Sequence, residues 1–257
     1  AVGITGTNGK TSVAYLLSCA LGELAGGCVL LGTLGRGVIR KAGDFGPLPL
    51  EKTLNTTPDP LEIQAELFRG RAEGASALVA EVTSQGMAQK RTCGMQWDAA
   101  VFMNLTRDHL DLHGSMEAYA QLKKDLFHIE LKESKKRKKT AIINIDDSVG
   151  RELAEELGRD SEVGLLRFSA EGKEAELKAI NTVLEIDRTI VEVVYNGCVG
   201  RLVSKLVGRY NVSNLLAYAA SLLGLGYSLV EASSVLAAIP PVPGRLERVP
   251  AKDIHVF

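Results

Sequence analysis

Val2 to Leu17 reads VGITGTNGKTSVAYLL, and no other stretch narrows the possible folds as much. A short apolar strand carrying Val2 and Ile4 turns through Thr5-Gly6-Thr7-Asn8-Gly9 and passes Lys10-Thr11-Ser12 into an apolar helix. Glycines let a backbone approach a ligand with no Cβ in the way. The N–H groups of such a loop, with a helix N-terminus behind it, turn positive partial charge toward a polyphosphate. In that arrangement Lys10 reaches the β- and γ-phosphates and the Thr11 hydroxyl ligates Mg²⁺. The strict phosphate-loop pattern has glycine where this chain has Ile4; its glycines fall at Gly3 and Gly6 instead, so the loop is a variant. A tight turn with a surface lysine is the plainer alternative. Glycine, lysine and threonine after a strand and opening a helix form the context that the motif requires.

Composition excludes several classes. With 257 residues there is chain for one large domain or two small ones. Hydrophobic residues are 46% and charged residues 24%, as in ordinary globular proteins. A net charge of −1 points to neither nucleic acid nor an anionic membrane surface. Cys19, Cys28, Cys93 and Cys198 have neither metal-ligand nor CxxC spacing and read as free thiols. No run of 18 unbroken apolar residues suggests a membrane span. The abrupt opening on a strand carries the expectation of a module from a longer enzyme, without a secretory leader.

Further along, Cys28 to Leu31 reads as a strand, and Gly32 to Asp44 as a loop or loose hairpin. Asn55 to Pro60 is a turn before a helix over Leu61 to Glu73. Apolar runs at Ala75 to Glu81, Asp98 to Asn104 and Thr140 to Asn144 are strands. Ser115 to Phe127 and Ser148 to Leu157 are helices. This alternation predicts an α/β fold: a doubly wound, mostly parallel sheet with helices on both faces. Its near-continuous apolar strands fit burial on both faces, and ligands bind at their carboxyl ends. From Val163 to Val207 the pattern alternates, and Asn196-Gly197 signals a hairpin. A small antiparallel sheet inserted into the domain is expected there, over roughly 163–207. Helices over Asn211 to Leu225 and Leu229 to Ala238 follow, and Pro240, Pro241 and Pro243 close the pattern.

Glu81, at a strand end, is either a partner of Thr11 for Mg²⁺ or a solvated carboxylate. Asn104 to His113 is dense in polar groups after a strand. Its His109 and His113 make a zinc pair conceivable, but no HExxH is present, and a role with Mg²⁺ or phosphate suits the loop better. Lys132 to Lys139 lacks interleaved aromatics and reads as a solvated loop. Asn211 and Asn214 lie on one face at a helix start, either meeting a nucleobase or ribose or capping the helix.

Together these residues resemble the Mur ligase family, ATP-dependent amide-forming enzymes of peptidoglycan precursor synthesis. Gly6 to Thr11, Glu81 with Thr83-Ser84, Asn104 to His109, Gly208 to Asn214 and Pro243-Gly244-Arg245 recur in the family's order. The resemblance covers nearly the whole chain. It implies that 1–257 is the central ATPase domain, without the N-terminal UDP-binding and C-terminal amino-acid domains. Asn55 to Pro60 and Arg107 to Gly114 resemble the MurE branch, which adds the third stem-peptide residue. That branch's usual Ser-Ser-His-Gly stands here as Thr83-Ser84-Gln85-Gly86.

The resemblance implies roles residue by residue. Gly6, Thr7, Asn8, Gly9, Lys10, Thr11 and Ser12 hold the ATP phosphates. Asn211, Asn214 and Arg245 hold adenine and ribose. Thr11 and Glu81 hold one Mg²⁺ and His109 a second. Lys123, or Lys124 one position on, falls where the family carries an N-carboxylated lysine, a cation turned into a carboxylate ligand. Thr56, Thr57, Thr83, Gln89 and Arg91 contact UDP-MurNAc-L-Ala-D-Glu. The amino acid added is meso-diaminopimelate ahead of L-lysine. A monomer in the bacterial cytoplasm is implied, without nucleic-acid or membrane partners. Another Mur-type ligase, a folylpolyglutamate synthase and a non-ligating nucleotide-binding module are the competing readings.

Overall fold

The computed structural model describes residues 1–40, 50–106, 114–160 and 162–246. The expected nucleotide-loop strand is β1 (Val2–Thr5), buried along its whole length. It lies inside a ten-stranded sheet of order β10-β9-β8-β7-β6-β5-β1-β4-β2-β3. β2 (Cys28–Gly32), β4 (Ala77–Glu81), β5 (Ala99–Phe102), β6 (Thr140–Asn144) and β7 (Gly164–Ser169) run parallel with β1. The chain builds outward from β1 in both directions, through β4 and β2 on one side and β5 to β7 on the other. The crevice at the carboxyl ends of β4, β1 and β5 is therefore the topological switch point, where open α/β sheets take ligands.

Strand periodicity sorts the core into two layers. Ile4, Leu30, Val79, Val101 and Ile142 face α1 (Lys10–Leu24), α6 (Tyr210–Gly224) and α7 (Leu229–Leu236). Leu31, Leu78, Ala80, Phe102 and Ile143 face the other layer. That layer contains α2 (Pro60–Ala72), α3 (Ser84–Ala88), α4 (Met116–Asp125) and α5 (Ser148–Leu157). α4 continues as one π-helical stretch, Leu126–Leu131, whose Leu126, Phe127 and Leu131 are buried.

Two expectations are refined. The loop or loose hairpin after β2 is a tight hairpin: β3 (Gly35–Ile39) pairs antiparallel with β2, and Gly32 pairs with Gly35 around Thr33-Leu34. The antiparallel part over 163–207 is present, but it is an extension of the main sheet and not a sheet of its own. β7 pairs parallel with β6, and β8 (Leu177–Leu184) parallel with β7. In this part β9 (Thr189–Tyr195) alone runs against the other strands, and β10 (Cys198–Ser204) pairs antiparallel with it, back in the direction of β8. Alternating polarity reports that one face is open, not where hydrogen bonding stops. Between β9 and β10, Asn196 and Gly197 have φ of 48° and 78°, the paired left-handed residues of the expected tight hairpin.

Candidate functional site

The glycine loop is shaped by what lies behind it. Gly9 has φ of 86°, and a Cβ there would run into the Asn214 Oδ1 atom. A Cβ on Gly6 would come within 2.7 Å of Met103 Cβ. The loop is tied down from β5: Thr7 N–H donates to Asn104 O at 2.9 Å, and Asn8 N–H to Asn104 Oδ1 at 2.8 Å. Lys10 Nζ arches back over the loop, donating to Gly6 O at 2.7 Å and Thr7 O at 3.0 Å.

Glu81, at the end of β4, is buried. Its carboxylate accepts from Thr11 Oγ1 at 2.9 Å and from Thr33 N–H at 2.7 Å. Burial pushes the Glu81 carboxyl above the ordinary glutamate range; the hydrogen bonds from Thr33 and Thr11 and the Lys10 charge oppose that rise. Of the two readings of Glu81, the solvated strand end is excluded by its burial.

Lys123 and Lys124 point apart. Lys123 is 1% exposed; its Nζ donates to Gly6 O at 3.1 Å and lies 4.4 Å from the centroid of the Tyr119 ring. Tyr119 OH in turn meets Thr7 Oγ1 at 3.3 Å. Lys124 pairs with Glu152 and Glu156 at 3.0 and 2.9 Å. The helix therefore presents Lys123 to the loop and Lys124 to α5. His109, and the whole of Arg107 to His113, lies outside the described residues.

Thr57 and Thr83 meet at 2.9 Å between their hydroxyls, and Thr57 Oγ1 also donates to Glu81 O at 2.9 Å. Arg91 reaches Thr57 O at 2.8 Å. A small cavity of about 200 Å³ gathers Thr56, Thr57, Thr83, Ser84, Gln85 and Arg91. Gln89 does not line it. α3 is five residues long, Gln89 is its exposed C-cap, and Gln85 in the first turn lines the cavity.

Asn211 and Asn214 do not cap α6, whose N-cap is Arg209. Asn211 Nδ2 donates to Val207 O, and Asn214 Nδ2 to Asn211 Oδ1, each at 2.8 Å. Both face a cleft of about 510 Å³ along with Thr7 to Ser12, Glu81 and Arg245.

With this geometry in place, the chain matches the family described as the Mur ligase middle domain over residues 4–222. The chain belongs to the Mur ligase family. Two diaminopimelate-adding relatives bear the name UDP-N-acetylmuramoyl-L-alanyl-D-glutamate--2,6-diaminopimelate ligase. The one from Ectopseudomonas mendocina (strain ymp) is 40% identical over 252 residues, 98% of this chain and 48% of that protein. The one from Pseudomonas aeruginosa is 41% identical over 252 residues, with the same coverage of 98% and 48%. A solved structure of a ligase of that name superposes with a TM-score of 0.83 at 28% identity, covering 98% of this chain and 48% of the other. Mycobacterium tuberculosis folylpolyglutamate synthase, solved with ADP, shares the fold: TM-score 0.74, 19% identity, 100% and 61% covered. The chain spans about half the length of the curated relatives it matches.

The donor set of this Mur ligase domain fits Mg²⁺. Thr11 and Glu81 supply hard oxygens, and Mg²⁺ is typically bound through one or two carboxylates together with substrate phosphates and water. Among the described residues no three His, Cys, Asp or Glu side chains gather into a closed cage. The glycine loop, a cradle that a Cβ would fill, fits a polyphosphate. Cleft residues given no role by the sequence include Thr33, Tyr210 and Leu246. Thr33 stands in the hairpin turn beside Glu81, and exposed Tyr210 stands at the mouth next to Asn211. A glycine-bracketed turn at a strand's carboxyl end was the available signal for Thr33.

Proposed function

We propose that this domain is the ATP-handling centre of a ligase that joins meso-diaminopimelate, ahead of L-lysine, to UDP-MurNAc-L-Ala-D-Glu. The observation that carries the reading is the convergence of Lys10, the Thr11–Glu81 pair and Lys123 on one glycine loop, beside the Thr57–Thr83–Arg91 pocket. The names of relatives about 40% identical support the substrate and favour diaminopimelate. Their doubled length supports flanking UDP-binding and amino-acid domains around 1–257. The reading extends to a bacterial cytoplasmic monomer; no helix among the described residues is long and apolar enough to cross a membrane.

In this mechanism Gly6 to Ser12 cradle the phosphates of ATP, and Asn211, Asn214 and Arg245 hold its adenosine. Thr56, Thr57, Thr83, Gln89 and Arg91 hold the muramyl peptide, with Gln85 lining the threonine cavity. The D-glutamate side-chain carboxylate attacks the γ-phosphorus, the bond to the β,γ-bridging oxygen breaks, and ADP leaves with that electron pair. The amine then attacks the acyl carbon, phosphate departs, and the ammonium proton is lost as the amide forms. Lys10 turns from its loop carbonyls to the transferring oxygens and offsets the charge building there. Bound Mg²⁺, held by Thr11 and Glu81 and at a second position by His109 and carboxylated Lys123, supplies further charge neutralisation.

The test incubates the full-length protein with ATP, Mg²⁺ and UDP-MurNAc-L-Ala-D-Glu, offers diaminopimelate or lysine, and weighs the product by mass spectrometry. A product heavier by one diaminopimelate residue is expected. Extension of a folate or of another muramyl peptide, with this nucleotide left unchanged, overturns the assignment.

A further inference from the structure

We propose that Thr33 is a positioning residue: it fixes how Glu81 offers its charge to Mg²⁺ and links that carboxylate to the substrate pocket through Thr56. The proposal rests on the reading above, in which Thr11 and Glu81 hold the cation.

Thr33 is set by the fold. The Gly32–Gly35 pair closes a two-residue turn, so Thr33 is held at the carboxyl end of β2, beside β4. Its N–H donates to Glu81 Oε1 at 2.7 Å, and its hydroxyl reaches Glu81 Oε2 at 3.3 Å. Gly32 packs so closely that a Cβ there would run into Oε1. One carboxylate oxygen is thus closed in by the hairpin backbone. Oε2, which also accepts from Thr11 at 2.9 Å, faces the hydroxyl that ligates alongside it. The geometry points to a single Glu81 oxygen, Oε2, as the metal ligand.

The hydroxyls also have a direction. An ionised carboxylate only accepts, so the Thr33 hydroxyl spends its one proton on Glu81. In the 3.2 Å contact between Thr33 Oγ1 and Thr56 Oγ1, Thr56 is therefore the donor. The chain runs Thr56 to Thr33 to Glu81, from the lining of the small threonine pocket to the cation's carboxylate. A substrate group that takes the Thr56 proton breaks this chain, so occupancy of the pocket is felt at the metal site.

The experiment uses the full-length protein with a non-hydrolysable ATP analogue and titrates Mg²⁺ by calorimetry, with and without UDP-MurNAc-L-Ala-D-Glu. Thr33→Val, which keeps the backbone N–H and the shape, is expected to weaken Mg²⁺ about tenfold, the usual cost of losing an outer-shell partner. It should also abolish any effect of the muramyl nucleotide on Mg²⁺ affinity. Thr33→Ser should behave as wild type on both counts, and melting curves confirm that each variant is folded. Thr33→Ala substitutes if the valine variant does not fold. Unchanged Mg²⁺ affinity in Thr33→Val, while Glu81→Gln loses it, overturns the proposal and leaves the metal reading standing. Equal weakening in Thr33→Ser also overturns it, because methyl packing and not the hydroxyl contact would then be at work. If Glu81→Gln binds Mg²⁺ as wild type does, the metal reading itself falls.

Discussion

Glu81 answers to two demands that oppose each other. A cation site needs its charge, while burial makes that charge costly. Its pKa in the fold is raised above the ordinary value of 4.5, so the native state holds the proton to higher pH than the unfolded chain does. That contribution to stability is complete below the ordinary value and is lost as pH rises through the raised one. Glu81→Gln is therefore expected to melt higher than wild type at pH 7 in EDTA. The advantage should fade toward pH 4, and Mg²⁺-dependent turnover should be lost; thermal melts across pH together with the ligase assay check both. Lys123 carries the other residue-scale prediction. Lys123→Ala should be inactive and partly restored by short carboxylic acids that fill the vacated space. Lys124→Ala, which removes a cation paired with Glu152 and Glu156 away from the loop, should keep turnover. Full activity in Lys123→Ala would remove that lysine from the mechanism. The family resemblance placed Lys123 there with Lys124 one position away; adjacent helical residues differ by about 100° in direction, and packing turns Lys123 inward.

Short elements hold the site through their ends. Asp147 caps α5, its Oδ1 accepting from Val149 N–H at 2.9 Å and Gly150 N–H at 3.2 Å. Its Oδ2 accepts from Leu105 N–H at 2.9 Å, and the next residue, Thr106, donates through its N–H to Thr7 Oγ1 at 3.0 Å. One carboxylate thus joins a helix start to the segment behind the glycine loop. Asp147→Ala should cost about 1–2 kcal/mol, a lost cap together with an unpaired N–H. Urea denaturation measures that loss, and the KM for ATP should rise with it. Helix boundaries such as Ser148 to Leu157 were legible because caps are local signals. α3 was not: at five residues it has too little periodicity to show.

Continuity of the sheet decides how the whole domain responds to stress. β8, β9 and β10 extend a hydrogen-bonded ladder that runs unbroken through β1 to β3. α6 and α7 pack across both the parallel and antiparallel strands, placing Leu177, Val191 and Leu202 in the same core as Ile4 and Val101. A single cooperative transition follows. Trp97, the chain's one tryptophan, is buried in the opposite layer. Its fluorescence should melt at the same temperature as the far-ultraviolet circular dichroism. An earlier dichroism transition would mean that the antiparallel strands unfold as a unit of their own.

The nucleotide loop, the parallel strands and the order of the helices were written in the sequence, because each depends on neighbours in the chain: glycine, lysine and threonine at fixed spacing, apolar periodicity, and capping residues. Asn196-Gly197 belongs with them, since its turn needs only residues that accept positive φ. Tertiary structure alone decided the contacts between distant segments. It set Thr33 against Glu81 and turned Lys123 inward. It also brought Gln85 to the threonine pocket and joined the antiparallel strands to the main sheet. Pairing across dozens of residues leaves no period in a sequence. It is settled only when the sheet closes and the buried faces of its helices find their places.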